Sequence, residues 1–351
     1  MILIVRLLKS TLFLSSIILC LEFPTSFKYE TSLGYDDNFM RFSDIEINAY
    51  HIEENTENDY LGDSKTYDSA ILASSLQLKI SPKILKSYKT NFIFKSKYNY
   101  YSSSQLKSYI SLLGRFEMKL APYSWIKFSY SLLPEYYLRT YIDRDLTPLD
   151  YYPCSFSNET VYLSFSHKIP LNKTWVDYRF VMNNQFYNKY FTEFDSKIYG
   201  FEIILKSKML KSYYSNFTYL YYSSNNVSYD SSEMFESSKM NRSYIRNGFK
   251  FYIKKTFKNL FISNVGVKFY FNRRFYDLES WYYNSDNWKT YSDYDFRLET
   301  SKKITKSISL DVSARHFLRQ VSSSNNSEVS WVEGYKNHQR NELWLKFIYN
   351  F

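Results

Sequence analysis

From Ser307 to Ala314 the chain alternates without a break. Ile308, Leu310, Val312 and Ala314 fall on one face, and Ser307, Ser309, Asp311 and Ser313 on the other. A period of two belongs to a β-strand with one apolar side. The segment 110–120 sets Ile110, Leu112, Phe116, Met118 and Leu120 against Ser111, Arg115, Glu117 and Lys119. Segment 124–132 sets Ile126, Phe128, Tyr130 and Leu132 against Lys127, Ser129 and Ser131, and 174–183 repeats the pattern with Val176, Tyr178, Phe180 and Met182 against Asp177, Arg179 and Asn183. Similar stretches recur at 27–36, 68–80, 89–101, 158–169, 195–207, 213–223, 243–254, 260–272, 291–302 and 340–351. The pattern predicts about fourteen strands, with twelve or sixteen as the alternatives.

The connections between these segments divide into two sets. Short ones fall near 81–88, 121–123, 170–173, 210–212, 256–259 and 303–306. The alternate set is mostly long and polar, at 37–66, 139–156, 225–241, 274–290 and 320–338, with brief exceptions near 102–104 and 189–193. An even strand number with short turns on one side and long loops on the other predicts an all-β fold: a transmembrane, antiparallel, up-and-down β-barrel. Both termini then lie on the short-turn side. One barrel domain is expected over 27–351.

The final strand carries a further signal. Leu343, Leu345, Phe347, Tyr349 and Phe351 share one face, while Glu342, Trp344, Lys346, Ile348 and Asn350 share the other. This tail, ending on an aromatic residue, resembles the C-terminal assembly signal of Gram-negative outer-membrane β-barrel proteins, including porins. The resemblance implies an outer-membrane location with both termini periplasmic. It implies a barrel assembly machinery that reads Leu345, Phe347, Tyr349 and Phe351, and lipid and lipopolysaccharide as neighbours. The segment Gly34-Tyr35-Asp36-Asp37-Asn38-Phe39-Met40-Arg41 is similar to a Tyr-Asp-x-Asn stretch near the first strand of several such barrel families. It covers eight residues and fixes no activity.

The other end supports export. Met1 to about Ser26 has a basic start (Arg6, Lys9), an apolar run from Thr11 to Leu21, and small or turn-forming residues at Pro24, Thr25 and Ser26. This is the layout of a secretory signal peptide, expected over 1–26. The run is too short to span a bilayer as a helix. Cys20 sits where a lipoprotein acceptor could lie, but bulky Leu19 before it argues against lipidation. Cys154 is then the one cysteine of the mature chain, so no intramolecular disulfide is expected.

Composition changes the picture modestly. The chain has 38 Tyr, 29 Phe and 6 Trp against 7 Gly and 7 Pro, as barrel strands and interfacial girdles require. A mean hydropathy of −0.44 excludes a helical membrane protein but not a barrel, where every second side chain faces a wet lumen. Abundant Lys, Asn, Tyr, Ser, Ile and Phe also fit an AT-rich genome.

Fourteen tilted strands would close into a cylinder roughly 28 Å across. The alternation turns Lys28, Lys79, Lys95, Lys97, Arg115, Lys119, Lys127, Lys168, Arg179, Lys206, Arg246, Lys250, Lys254, Lys268, Arg297, Arg315 and Lys346 inward. Glu30, Glu117, Glu135, Asp177, Glu202, Asp295, Glu299, Asp311 and Glu342 turn with them. Lysines and arginines outnumber the acids about two to one, which predicts a channel or transporter for small polar, anionic solutes. Lys95, Lys97, Arg115, Lys119, Arg179, Arg246, Lys250, Lys268 and Arg297 are the candidate selectivity residues. The alternative is a structural or surface-interaction barrel with a filled lumen, because Arg115/Glu117/Lys119 and Asp295/Arg297/Glu299 place opposite charges two apart on one face.

Other classes find little support. The net charge of +10 is spread over strand positions rather than gathered in a patch, which argues against nucleic acid. The acidic segment Asp36 to Lys65 matches no calcium-loop spacing and reads as a solvated surface loop. Ser313 and Asp311 face one way and His316 the other, so no hydrolytic triad forms there. No Gly-rich phosphate loop or Cys/His metal cluster is present, and no cofactor or enzymatic activity is expected. The oligomeric state is not encoded in the pattern.

Overall fold

The computed structural model describes residues 24–52, 59–82, 88–143, 150–171, 173–208, 212–229, 241–257, 261–277, 288–323 and 334–351. The expected leader, 1–26, lies outside them apart from its last residues. Fourteen strands appear: β1 (Thr25–Asp36), β2 (Ser69–Ile80), β3 (Lys89–Tyr101), β4 (Tyr109–Ala121), β5 (Ser124–Ile142), β6 (Tyr151–Lys168), β7 (Thr174–Tyr187), β8 (Ser196–Ser207), β9 (Tyr213–Asn226), β10 (Tyr244–Thr256), β11 (Asn264–Asp277), β12 (Trp288–Lys303), β13 (Ile308–Ser323) and β14 (His338–Asn350). Each pairs antiparallel with its sequence neighbours, and β1 pairs with β14, so the sheet closes as a barrel. Closure removes the edges that an open sheet would leave unpaired in lipid. No helix among the described residues is long and apolar enough to cross a membrane.

Directly opposed residues on paired strands share a face, so the inner wall can be followed round the barrel. From Glu202 one inner row runs through Leu220, Gly248, Asn272, Asp293 and Arg319 to His338. The outer face is apolar and uncovered. Leu33, Leu72, Phe94, Leu163, Phe180, Met182, Leu298 and Leu343 are all exposed there, Phe180 by 66%. Such a continuous apolar girdle on a closed barrel is a lipid-facing belt.

The strands run further than their alternation predicts. β5 has 19 residues and β6 has 18, where about 9–11 suffice to cross a bilayer. The segment expected as a loop at 139–156 is therefore mostly paired wall, with Tyr141 opposite Tyr152. Register shifts between Leu133 and Tyr136 and between Tyr137 and Arg139 bend this hairpin. A bulge inserts an extra residue and reverses the facing of the residues beyond it. For that reason Glu135, expected in the lumen, is exposed and accepts a hydrogen bond from Ser155 Oγ at 3.0 Å.

The first loop, 37–68, corrects a second expectation. Over its described parts, 37–52 and 59–68, it packs against the barrel instead of forming a solvated surface loop, while Glu53, Glu54 and Glu57 lie outside the described residues. Phe39, Met40, Phe42 and Leu61 are buried with Ile71, Tyr101 and Tyr137, and Trp344 packs against the group. Ile71, Tyr101 and Trp344 are inward wall positions, so this apolar cluster fills part of the loop-side mouth. Burying these four side chains stabilises the packing by roughly 1.5–3 kcal/mol each, while the buried acids Asp36 and Glu46 are ion-paired with Arg340 and Arg139.

Candidate functional site: the lumen and its two mouths

The loop-side mouth is built around helix α1 (Asp44–Ile52). Ser43 caps it: Glu46 N–H donates to Ser43 Oγ at 3.2 Å, and Ser43 N–H donates to Glu46 Oε2 at 2.8 Å. This reciprocal capping box is written in the sequence as Ser43-Asp44-Ile45-Glu46. The other oxygen of Glu46 meets Arg139 Nη1 at 2.8 Å, tying the helix to β5. The Tyr-Asp-x-Asn stretch proves structural. Asn38 Nδ2 donates to the carbonyls of Phe42 (2.8 Å) and Gln339 (2.9 Å), its Oδ1 accepts from Phe42 N–H, and Asp36 Oδ1 accepts from Asn38 N–H. Below the loop, Lys107 is almost wholly buried. Its Nζ donates to Leu138 O at 2.6 Å among the rings of Phe39, Tyr136 and Tyr137. The rings favour an ammonium, but burial is the larger influence and pushes this lysine well below its ordinary value.

The middle of the lumen is lined by ion-paired carboxylates. Glu30 accepts from Lys28 at 2.5 Å and Lys95 at 2.9 Å. Glu202 accepts from Arg179 at 2.7 Å, Lys250 at 3.3 Å and the Tyr222 hydroxyl at 2.8 Å. Asp293 holds Arg274 and Arg319. Arg315 bridges Asp295 and Glu342, Lys268 meets Glu299 at 2.5 Å, and Arg115 lies 3.8 Å from Glu117. Lys95, Lys250 and Lys268 keep 32%, 45% and 41% of their side chains exposed, so water reaches this wall.

Of the nine candidate selectivity residues, Lys95, Arg115, Arg179, Lys250 and Lys268 are thus paired. Among the described residues, Lys97, Lys119, Arg246 and Arg297 have no carboxylate within ion-pair distance. Arg246 lies over the Tyr222 ring at 4.2 Å and Lys119 over Trp125 at 5.9 Å. Arg297 stands in register between Lys268 and Arg315, three cations abreast.

At the short-turn mouth the wall changes character. A cavity of about 890 Å³ is lined by five lysines (Lys119, Lys127, Lys206, Lys208, Lys254) and by Tyr123, Trp125, Trp175, Tyr214 and Tyr252. Asp177, wholly buried, is paired with Lys206 and, at 3.7 Å, with Lys127. Alternation alone places most of these lysines inward. It misses Lys208, which follows β8, and gives no hint that the aromatic residues gather with them.

The C-terminal residues stand apart from the lumen. Leu345, Phe347 and Phe351 are exposed on the outer belt, and Phe351 N–H donates to Phe27 O at 3.0 Å. His316 also faces outward, with Nδ1 2.8 Å from Asn341 Oδ1, away from inward Ser313 and Asp311. Among the described residues no group of three or more His, Cys, Asp or Glu is arranged to hold a metal ion. Cys154 is a free, buried thiol.

No protein-family model matches this chain, and no curated protein matches it significantly. Similar solved structures include the outer-membrane channel DcaP of Acinetobacter baumannii, at 11% identity and a TM-score of 0.44 over 93% of this chain and 96% of that one. An anion-selective porin from Comamonas acidovorans is similar at 7% identity and a TM-score of 0.43, over 93% and 99%. OccK2 of Pseudomonas aeruginosa is similar at 7% and 0.41, over 93% and 98%.

Proposed function

We propose that the protein is a channel or transporter in the Gram-negative outer membrane, passing small polar, anionic solutes. The observation that carries this reading is the imbalance of the inner wall. Among the described residues its carboxylates, apart from Asp311, already have cationic partners, while Lys97, Lys119, Arg246, Lys254 and Arg297 have no carboxylate partner. Unbalanced cations in a water-filled passage lower the barrier for anions and raise it for cations. The short-turn side, with both termini, faces the periplasm. The barrel assembly machinery inserts the chain through the strand ending at Phe351. Outward Lys197 and Arg273, near the loop-side rim, suit lipopolysaccharide phosphates. No nucleic acid and no catalysis enter this reading.

One observation favours the runner-up, a filled barrel that serves structure or surface interaction: the first loop packs into one mouth. Planar-bilayer recording separates the two. An anion channel gives stepwise current and a reversal potential of anionic sign under a KCl gradient. Silence at every voltage would leave the filled barrel, and cation selectivity would sink the anionic part. Lys97→Glu is the cleanest variant, because it removes an unpaired cation. Lys95→Glu and Lys250→Glu should push selectivity the same way, but each also sets two carboxylates against one another.

A further inference from the structure

The short-turn mouth carries more than an excess of charge. Trp125, Trp175, Tyr214 and Tyr252 occupy inward positions, where a plain aqueous pore needs only polar side chains. Trp175, Tyr214 and Tyr252 form a continuous row with Tyr123: centroid separations are 5.1 Å from Tyr123 to Trp175, 6.4 Å from Trp175 to Tyr214 and 5.9 Å from Tyr214 to Tyr252. Lysines lie along that row. Lys208 Nζ is 5.9 Å from the ring centres of both Trp175 and Tyr214.

Backbone strain sits at the same place. Tyr123 occupies the two-residue turn between β4 and β5 with a φ of 65°. A non-glycine residue there costs about 1–2 kcal/mol, a cost set by the tight Pro122–Tyr123 turn, whose second position needs a positive φ. Glycine would relieve it at once but would remove the first ring of the row.

Charge fixes the rest of the chemistry. Asp177 balances Lys127 and Lys206 in part, while Lys119, Lys208 and Lys254 have no carboxylate within ion-pair distance among the described residues. The unbalanced lysines call for two or three negative charges on whatever enters. The volume, about 890 Å³, lies within the range of small-molecule sites.

We propose that this mouth is a binding site for a small, ring-bearing solute with at least two negative charges, its ring laid on the Trp175–Tyr214 row and its anionic groups held by Lys119, Lys208 and Lys254. The site deepens the channel reading, on which it rests, and makes the channel substrate-selective. Aromatic diacids and phosphorylated sugars share the required chemistry, since both an aromatic ring and a sugar face pack on indole and phenol rings.

Calorimetric titration of the refolded full-length protein in detergent tests the site without relying on conduction. Four probes are compared: benzene-1,3-disulfonate, glucose 6-phosphate, succinate (two charges, no ring) and glucose (a ring, no charge). At least one ring-bearing dianion should bind ten-fold or more tightly than succinate and glucose, and whichever of the two does so identifies the solute class. Lys208→Gln with Lys254→Gln should weaken that probe at least ten-fold. Trp175→Leu should weaken it while leaving succinate unchanged. These substitutions spare Asp177 and its partners, and heat-modifiable gel migration reports folding of each variant. Equal binding of succinate and the ring-bearing dianions overturns the proposal, as does equal binding of glucose. An anion-selective current with no ring preference would discard the site and keep the channel. Ring-selective binding in a barrel that never conducts would do the reverse.

Discussion

Arg139 Nη1 lies 2.8 Å from Glu46 Oε1, with the two side chains only 7% and 8% exposed. Through this pair the barrel wall grips the helix of the first loop. Removing one partner from a buried ion pair typically costs about 3–5 kcal/mol, because the other charge is stranded. Glu46→Ala also removes half of the capping box. Either Glu46→Ala or Arg139→Ala should release 37–68 from the mouth without unfolding the barrel. Conductance should rise, and limited proteolysis should cut this segment faster. An unchanged cleavage rate would mean that the apolar cluster alone holds the loop.

Lys107 makes docking of that loop pH-dependent. Its value is lowered well below 10.5 when the mouth is packed, whereas a released loop would return it to water. The undocked state therefore binds more protons between the lowered value and 10.5. Docking weakens as pH falls through that window, by up to about 1.4 kcal/mol per pH unit, and is strongest above it. Lys107→Met keeps the volume and removes the titration. Cleavage of the loop should accelerate as pH is lowered in the native protein and hold steady in the variant.

The closing seam offers a matched pair of substitutions. Gly34 stands opposite Trp344 across β1 and β14, and a Cβ at Gly34 would come within 2.5 Å of the indole. At Gly114 a Cβ meets nothing within 4 Å. Gly34→Val should therefore overpack the seam, at about 1–3 kcal/mol, and reduce the folded band on gels. Gly114→Val should be neutral or mildly stabilising. Equal behaviour of the two would show that the seam tolerates repacking.

Phe351 separates recognition from packing. Its ring meets Tyr349 at 4.2 Å and Phe27 at 6.5 Å, and it remains largely exposed. Deleting it should scarcely change the stability of barrel refolded in detergent, yet it should lower the amount inserted in cells. A loss in both measurements would make Phe351 a packing residue rather than an assembly signal.

The barrel is legible because one physical rule, the alternation of Ile308 to Ala314 and its counterparts, operates wherever lipid lies on one side and water on the other. Above the belt that rule lapses. Tyr136, Tyr137, Tyr141 and Tyr152 have no lipid to sort them, so the upper arms of β5 and β6 carry no alternation and resemble loop. Glu135 follows the alternation until a bulge reverses it. In the first loop the acids obscure Phe39, Met40 and Phe42. The Ser43–Glu46 capping box is the available sign that an ordered helix begins there. Ion pairs such as Glu202 with Arg179 are half visible, since register sets them side by side. The aromatic row at Trp175 draws on three strands and a turn, a juxtaposition that no local pattern encodes.

Five lysines collected at one opening, with a plug of phenylalanines and a methionine at the other, give the two ends unlike electrical characters. Any ion flow through such an asymmetric tube must depend on the direction in which voltage is applied, as in a diode. The protein would then conduct more readily one way than the other without any moving part.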